Sequence, residues 1–208
     1  MKFDITKRLP EVDAVLARTD NPRHRAILMN YVRHANLEIC GLWEGIVAPD
    51  MMVEHPVYHF HSAAGLRVIE GMAAVRAEYA SYEKLNNTVI YHSEGHLMVD
   101  DQGFFTEYVS HRFWPGALLA SLGDDIDDPD AIYLVTHTQM MSWPYDEAAR
   151  LRAERVYRGS DRKIAKCKPE EVITMQECRD KLLPTLPPVH SPITGKPVTP
   201  VARTTATV

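Results

Sequence analysis

Apolar residues recur at Ile27, Leu28, Tyr31, Val32 and Ala35, the three-and-four spacing of an amphipathic helix. Asn21-Pro22 in front of them is a capping residue followed by proline at the first helical position. Gly41 breaks or bends this helix, and a short helical piece over 42–47 stops before Pro49-Asp50. Residues 52–60 then read as a strand, in which Pro56 demands an edge position or a bulge. After a loop at 62–65, Met72, Val75, Tyr79 and Tyr82 fall on one stripe of a second long helix that Asn86-Asn87 closes. From there the period drops to two, predicting strands over 88–99, 104–114, 131–143 and 151–157. Asp100-Asp101-Gln102-Gly103 reads as a tight hairpin and 145–150 as another turn. The acidic stretch GALLASLGDDIDDPD is too long for a plain hairpin.

Helices first and an antiparallel meander afterwards predict an α+β protein, with helices packed on one face of a curved sheet that leaves a cone open at one end. The pattern divides the chain into a lead-in at 1–20, carrying one short amphipathic piece around Val12, Leu16 and Ala17, a main domain at 21–165, and a C-terminal region at 166–208. Within that final region a single amphipathic helix over 168–183 precedes a Pro/Thr-rich tail, expected to be disordered or laid along a neighbouring subunit.

Composition narrows the partners. Of 208 residues, 45% are hydrophobic and 25% charged, which suits one globular domain. A formal net charge of -5 without any basic run excludes a nucleic-acid partner on electrostatic grounds. No stretch of about 18 apolar residues predicts a membrane span. Three cysteines, Cys40, Cys167 and Cys178, show no CxxC pairing, which with the lack of a signal-like N-terminus predicts a cytoplasmic protein. Apolar residues on both faces of 131–143 predict a homodimer or homotrimer.

The candidate chemistry is acid–base. Glu38 continues the stripe of Leu28, Tyr31 and Ala35, so its carboxylate points inward, where burial tunes it toward a general base; its alternative is to turn outward or cap backbone at the helix bend. His92 shares a strand side with Glu94 and His96, where a carboxylate can fix its tautomer, or it bonds across the sheet. His111 and His137 occupy the middles of the next two strands among mixed polar and apolar neighbours, as in a pocket wall. Tyr31, Tyr58, His59 and Arg76 are candidate substrate contacts. His55, His59 and His61 alternate on one strand side, yet lack defined ligand spacing, so no metal is expected. Tyr58 alternates away from that cluster, so all of them line one cavity only if a bulge intervenes. GxGxxG, Walker and GxSxG motifs are missing, which points away from nucleotide cofactors and covalent nucleophiles.

Three stretches, YVRHANLEICGLWEGIVAPDMMVEHPVY, IEGMAAVRAEY and WPYDEAARLRAERVYRG, resemble the NTF2-like superfamily, specifically its SnoaL-like branch, across about residues 22–160. That resemblance implies the α+β cone and a function among its members: scytalone dehydratase-like enzymes, a dehydrochlorinase, ketosteroid isomerases, polyketide cyclases and lyases of lignin-derived aromatics. It also implies an acid at Glu38, a sheet histidine at His92, a second at His111, and no cofactor. The expectation is a cofactor-independent lyase that dehydrates or deformylates a small hydrophobic, aromatic substrate such as a diarylpropane. An isomerase or cyclase, or a non-catalytic binding protein, is the alternative, because fold alone does not assign chemistry.

Overall fold

The computed structural model describes residues 2–198. Its elements are α1 (Pro10–Leu16), α2 (Pro22–Ile39), β1 (Met52–Ser62), β2 (Gly65–Glu70), α3 (Met72–Lys84), β3 (Ile90–Asp100), β4 (Gly103–Pro115), α4 (Gly116–Ser121), β5 (Ile132–Pro144), β6 (Leu151–Arg158), β7 (Lys163–Lys166) and α5 (Met175–Leu182). Seven strands form one mixed sheet in the order β2-β1-β6-β5-β4-β3, with β7 extending the β6 side of β5. All neighbours are antiparallel except β1 and β6. The result is an α+β cone, a curved and unclosed sheet wrapped over helices.

The long strands stand where period-two alternation puts them, except that β3 changes sides at a register shift between Ser93 and His96: His92 is buried while Glu94, His96 and Met98 are exposed, so these three do not share its side. Along β4, for example, Phe104, Thr106, Tyr108 and Ser110 are buried while Phe105 and Glu107 are exposed, so one face meets the helices. Tyr31 of α2 packs on Phe104 and Trp143, each with ring centroids 4.8 Å away, fixing α2 inside the cone.

Four local departures have physical reasons. Pro56 sits in a register shift of the β1–β6 ladder between Met52 and Val57; β1 is flanked on both sides, so the bulge, not an edge, accommodates the missing N–H. Residues 65–70 form a strand paired to β1 rather than the approach to a helix; too exposed to carry an apolar stripe, they are held by backbone pairing. The acidic connection begins with the short helix α4, whose Leu119 is buried against Tyr133 and Val135. In place of one helix over 168–183 there is a 3₁₀ turn at Pro169–Glu171 and then α5, whose N-cap Thr174 accepts from the Glu177 backbone N–H.

The segment before residue 21 is part of the core: Ile5, Leu9, Val12 and Val15 are buried in the main cluster. The C-terminal segment lies on its own chain through residue 198, where Arg33 donates to the Pro187 carbonyl at 2.8 Å and His190 bridges to Pro197. The tail beyond, 199–208, lies outside the described residues.

Candidate active site

Helix α2 brings the first two groups. Asn21 caps it, its side chain accepting from the Arg23 and His24 backbone N–H groups, and Gly41 ends it at φ +64, where a Cβ would meet Met175 Sδ at 2.7 Å. The last turn therefore holds Glu38, one turn beyond His34 on the same face. His34 is buried, with Nε2 3.6 Å from Glu38 Oε2 and 2.9 Å from the Tyr79 hydroxyl of α3. That hydroxyl lies 2.9 Å from the Tyr58 hydroxyl of β1. Burial keeps both phenols well above their usual range, so they act as neutral hydroxyls in a chain ending on Glu38.

The parallel register of β1 and β6 sets Tyr58 beside Glu154. Glu38, Glu154 and Arg112 of β4 face a cavity of about 230 Å³, with Tyr58, Phe60, Tyr82 and Trp114 on its walls and Leu85, Leu118 and Leu122 among its apolar residues. Burial, then the charge of Glu38, pushes Glu154 well above the carboxylate range, although Arg112 and Arg158 pull against the shift. Burial acts on Glu38 too, but His34 and Arg112 outweigh it and hold Glu38 below its ordinary value. Two carboxyls on one cavity are thus driven apart, the pattern by which proteins separate an acid from a base.

Deeper in the cone lies a space of about 30 Å³ that shares Glu38, Arg112 and Glu154 and adds Arg8, Tyr31 and His92. His92 Nδ1 lies 2.9 Å from Glu11 Oε1, and its ring stacks on Tyr108 with centroids 3.5 Å apart. Burial lowers the His92 pKa in spite of Glu11. Room for Glu11 comes from a break in the β3–β4 register between Ser93 and His96: Glu94 turns to φ 55, and a Cβ on Gly95 would stand 2.7 Å from Glu11 Oε2.

Of the residues singled out from sequence, Glu38, Tyr31, Tyr58 and His92 line these connected spaces. His137 is buried on β5 with Nε2 3.2 Å from Gln139 Oε1, lining neither space; burial, then Arg112, lowers it to about 4. His111 is not brought to them. It bonds Ser93 Oγ at 2.8 Å and Thr136 Oγ1 at 3.3 Å and stacks near Phe3, opposite in strand alternation to Tyr108 and Arg112. His59 alternates with the cavity residues Tyr58 and Phe60 and so faces away from them. Arg76 is exposed on α3. Among the described residues no group of three His, Cys, Asp or Glu side chains is arranged to hold a metal ion.

His34, Glu154, Arg112, Arg158 and Glu11 were not singled out. The i,i+4 spacing of His34 and Glu38 was a readable signal. Glu154 shares a strand side with Val156, which hints at an inward carboxyl, but nothing local ties Glu11 to a strand 81 residues away.

No protein-family model matches the chain, and no curated protein matches its sequence. Among solved structures, the chain is similar to an NTF2-like protein from Anabaena variabilis, at 15% identity over 69% of this chain and 94% of that one, TM-score 0.49. It is also similar to a candidate SnoaL-like polyketide cyclase from Jannaschia, at 11% identity over 68% and 90%, TM-score 0.48. A third is the epoxide hydrolase/cyclase-like enzyme SalBIII of salinomycin pyran-ring formation, at 21% identity over 71% and 98%, TM-score 0.46. At such identities and TM-scores these likenesses carry no statement about reaction. No helix among the described residues is long and apolar enough to cross a membrane.

Proposed function

We propose that this protein is a cofactor-independent acid–base lyase acting on a small hydrophobic, aromatic substrate inside the cone. The observation that carries this reading is the pair Glu38 and Glu154 on one cavity with their pKa values displaced in opposite directions. Glu38, ionised and steadied by His34, takes a proton from substrate carbon or hydroxyl. Glu154 keeps its own proton and delivers it to the departing oxygen, which leaves as water. In a retro-aldol step the O–H proton goes to Glu38, the C–C bond breaks, and a small aldehyde is released while Glu154 protonates the remaining fragment. Arg112, between the two spaces, offsets negative charge developing on oxygen.

A cavity of about 230 Å³ is smaller than the roughly 300–1,000 Å³ of drug-sized sites. It suits one aromatic ring, and a two-ring substrate such as a lignin-derived diarylpropane extends its second ring past Leu118 and Leu122. Arg112 also favours a second reading, in which the enolate it stabilises is reprotonated elsewhere, as in an isomerase or cyclase of the SnoaL-like kind.

The test is mass-spectrometric product analysis with a panel of aromatic 1,3-diols and β-hydroxy ketones. Loss of water or of a small aldehyde supports the lyase; a product of unchanged mass supports the isomerase or cyclase. Glu38→Gln and Glu154→Gln should each cut turnover by about 10²–10⁴-fold with substrate affinity nearly intact. Full turnover in both variants sinks the acid–base reading, and binding without turnover in the wild type marks a binding protein.

A further inference from the structure

Three arginines line the outer cavity, and only one has its charge answered. Arg67 is gripped by Glu78 through two bonds of 2.8 and 2.6 Å. Neither Arg112 nor Arg158 has a carboxylate oxygen within 4.0 Å among the described residues, and Arg112 Nε is buried without a hydrogen-bond partner. What Arg158 has is a ring: its guanidinium carbon lies 6.0 Å from the centroid of Phe60, a cation–π contact that leaves the N–H edge free. The two cations also oppose each other, since Arg112 after burial is the largest influence lowering the Arg158 pKa.

The acids nearby do not cancel this charge. Glu38 is engaged by His34, and Glu154 is the carboxyl driven toward its neutral form. Arg158 is exposed at the cavity's outer end and Arg112 is half-buried, so an anion that enters gains a charge-assisted contact at Arg158 and offsets the charge of the more buried Arg112. Phe60, Tyr82 and Trp114 meanwhile offer flat apolar walls suited to an aromatic ring.

Building on the acid–base reading above, we propose that the substrate is an aromatic carboxylate, its carboxylate forked by Arg158. Arg158 lines only the outer space, whereas Arg112, Glu38 and Glu154 line both. The carboxylate therefore sits outward and the reacting carbon lies inward, between the two glutamates and beside Arg112. Arg158 sets which substrates enter and leaves the proton transfers to the carboxyl pair.

The experiment is a pair of titrations at about pH 7.5, with 3-phenylpropionate and with 3-phenylpropan-1-ol, followed by the NMR signal of the Trp114 indole N–H. The acid should bind at least about tenfold more tightly than the alcohol, the value of one charge-assisted contact. Arg158→Met should erase that preference while leaving alcohol affinity unchanged, and Arg76→Met, on the exposed face of α3, should leave it in place. Equal affinity of the two probes, a preference that survives Arg158→Met, or no saturable binding of the acid overturns the proposal. The acid–base reading fails separately: Glu154→Gln should keep the acid preference and lose turnover, so turnover retained in that variant sinks the acid–base reading alone, and an acid preference lost there sinks the carboxylate site alone.

Discussion

At the scale of single residues, a carboxyl becomes an acid or a base through what touches it. Glu38 and Glu154 have the same side chain on the same cavity, yet His34 lies 3.6 Å from one and no ion pair within 4.0 Å steadies the other among the described residues. His34→Gln tests the difference. It removes the group that most opposes burial at Glu38, so the pKa of Glu38 should rise. A base works only when deprotonated, so the acid limb of kcat/KM against pH should move to higher pH, with the alkaline limb set by Glu154 unmoved. Tyr79→Phe, which takes away the hydroxyl between Tyr58 and His34, should move the acid limb in the same direction by less. An acid limb that stays in place in both variants would remove His34 from the role of positioning residue.

At the scale of elements, what was legible is what pays for its own formation locally. The Asn21 cap with Pro22, the stripe through Tyr31 and Ala35, and the alternation of the four long strands all act through neighbours in sequence, and α2, α3, β3, β4, β5 and β6 stand where those signals put them. Strands β2 and β7 carry no such stripe and exist because β1 and β5 offer open backbone groups. The same division runs through the site. Glu38 and His92 could be read from a helix face and a strand side. Glu11 could not, because its place depends on the bulge at Glu94 and Gly95. Strand alternation alone suggested His111 for the pocket wall, whereas the pairing of His92 with Ser110 turns His111 to the outer face. Gly95→Ala probes the bulge: its Cβ meets Glu11 Oε2 at 2.7 Å and should push that carboxyl away from His92. Since Glu11 raises the His92 pKa against burial, the His92 NMR titration should shift to lower pH. A His92 titration identical to wild type would mean that Glu11 reseats itself and that the glycine is not what holds the pair.

At the scale of the whole molecule, the buried titrating groups bound the pH range in which the fold is most stable. On the acid side stand histidines with lowered pKa: His137 at about 4, with His92 and His111 displaced the same way. Unfolding lets each return to about 6.5, so the unfolded chain binds more protons as pH falls. The contribution of each is whole above about pH 6.5 and is lost as pH falls through its folded value, which for His137 is about 4. For His137 this is on the order of 3 kcal/mol. Glu154 acts in the opposite sense. Its folded pKa is raised, so its contribution is whole below the usual carboxylate value of about 4.3 and is lost as pH rises through the folded value. Stability measured by urea unfolding should therefore fall on the acid side from the histidines and decline on the alkaline side from Glu154. His137→Gln should flatten the acid limb. Glu154→Gln should flatten the alkaline limb and raise stability there, because an amide carries no charge to bury, while the same substitution should cut turnover by about 10²–10⁴-fold. A Glu154→Gln protein less stable than wild type at alkaline pH would mean that the carboxylate is welcome in the cavity, and would remove Glu154 from the role of acid.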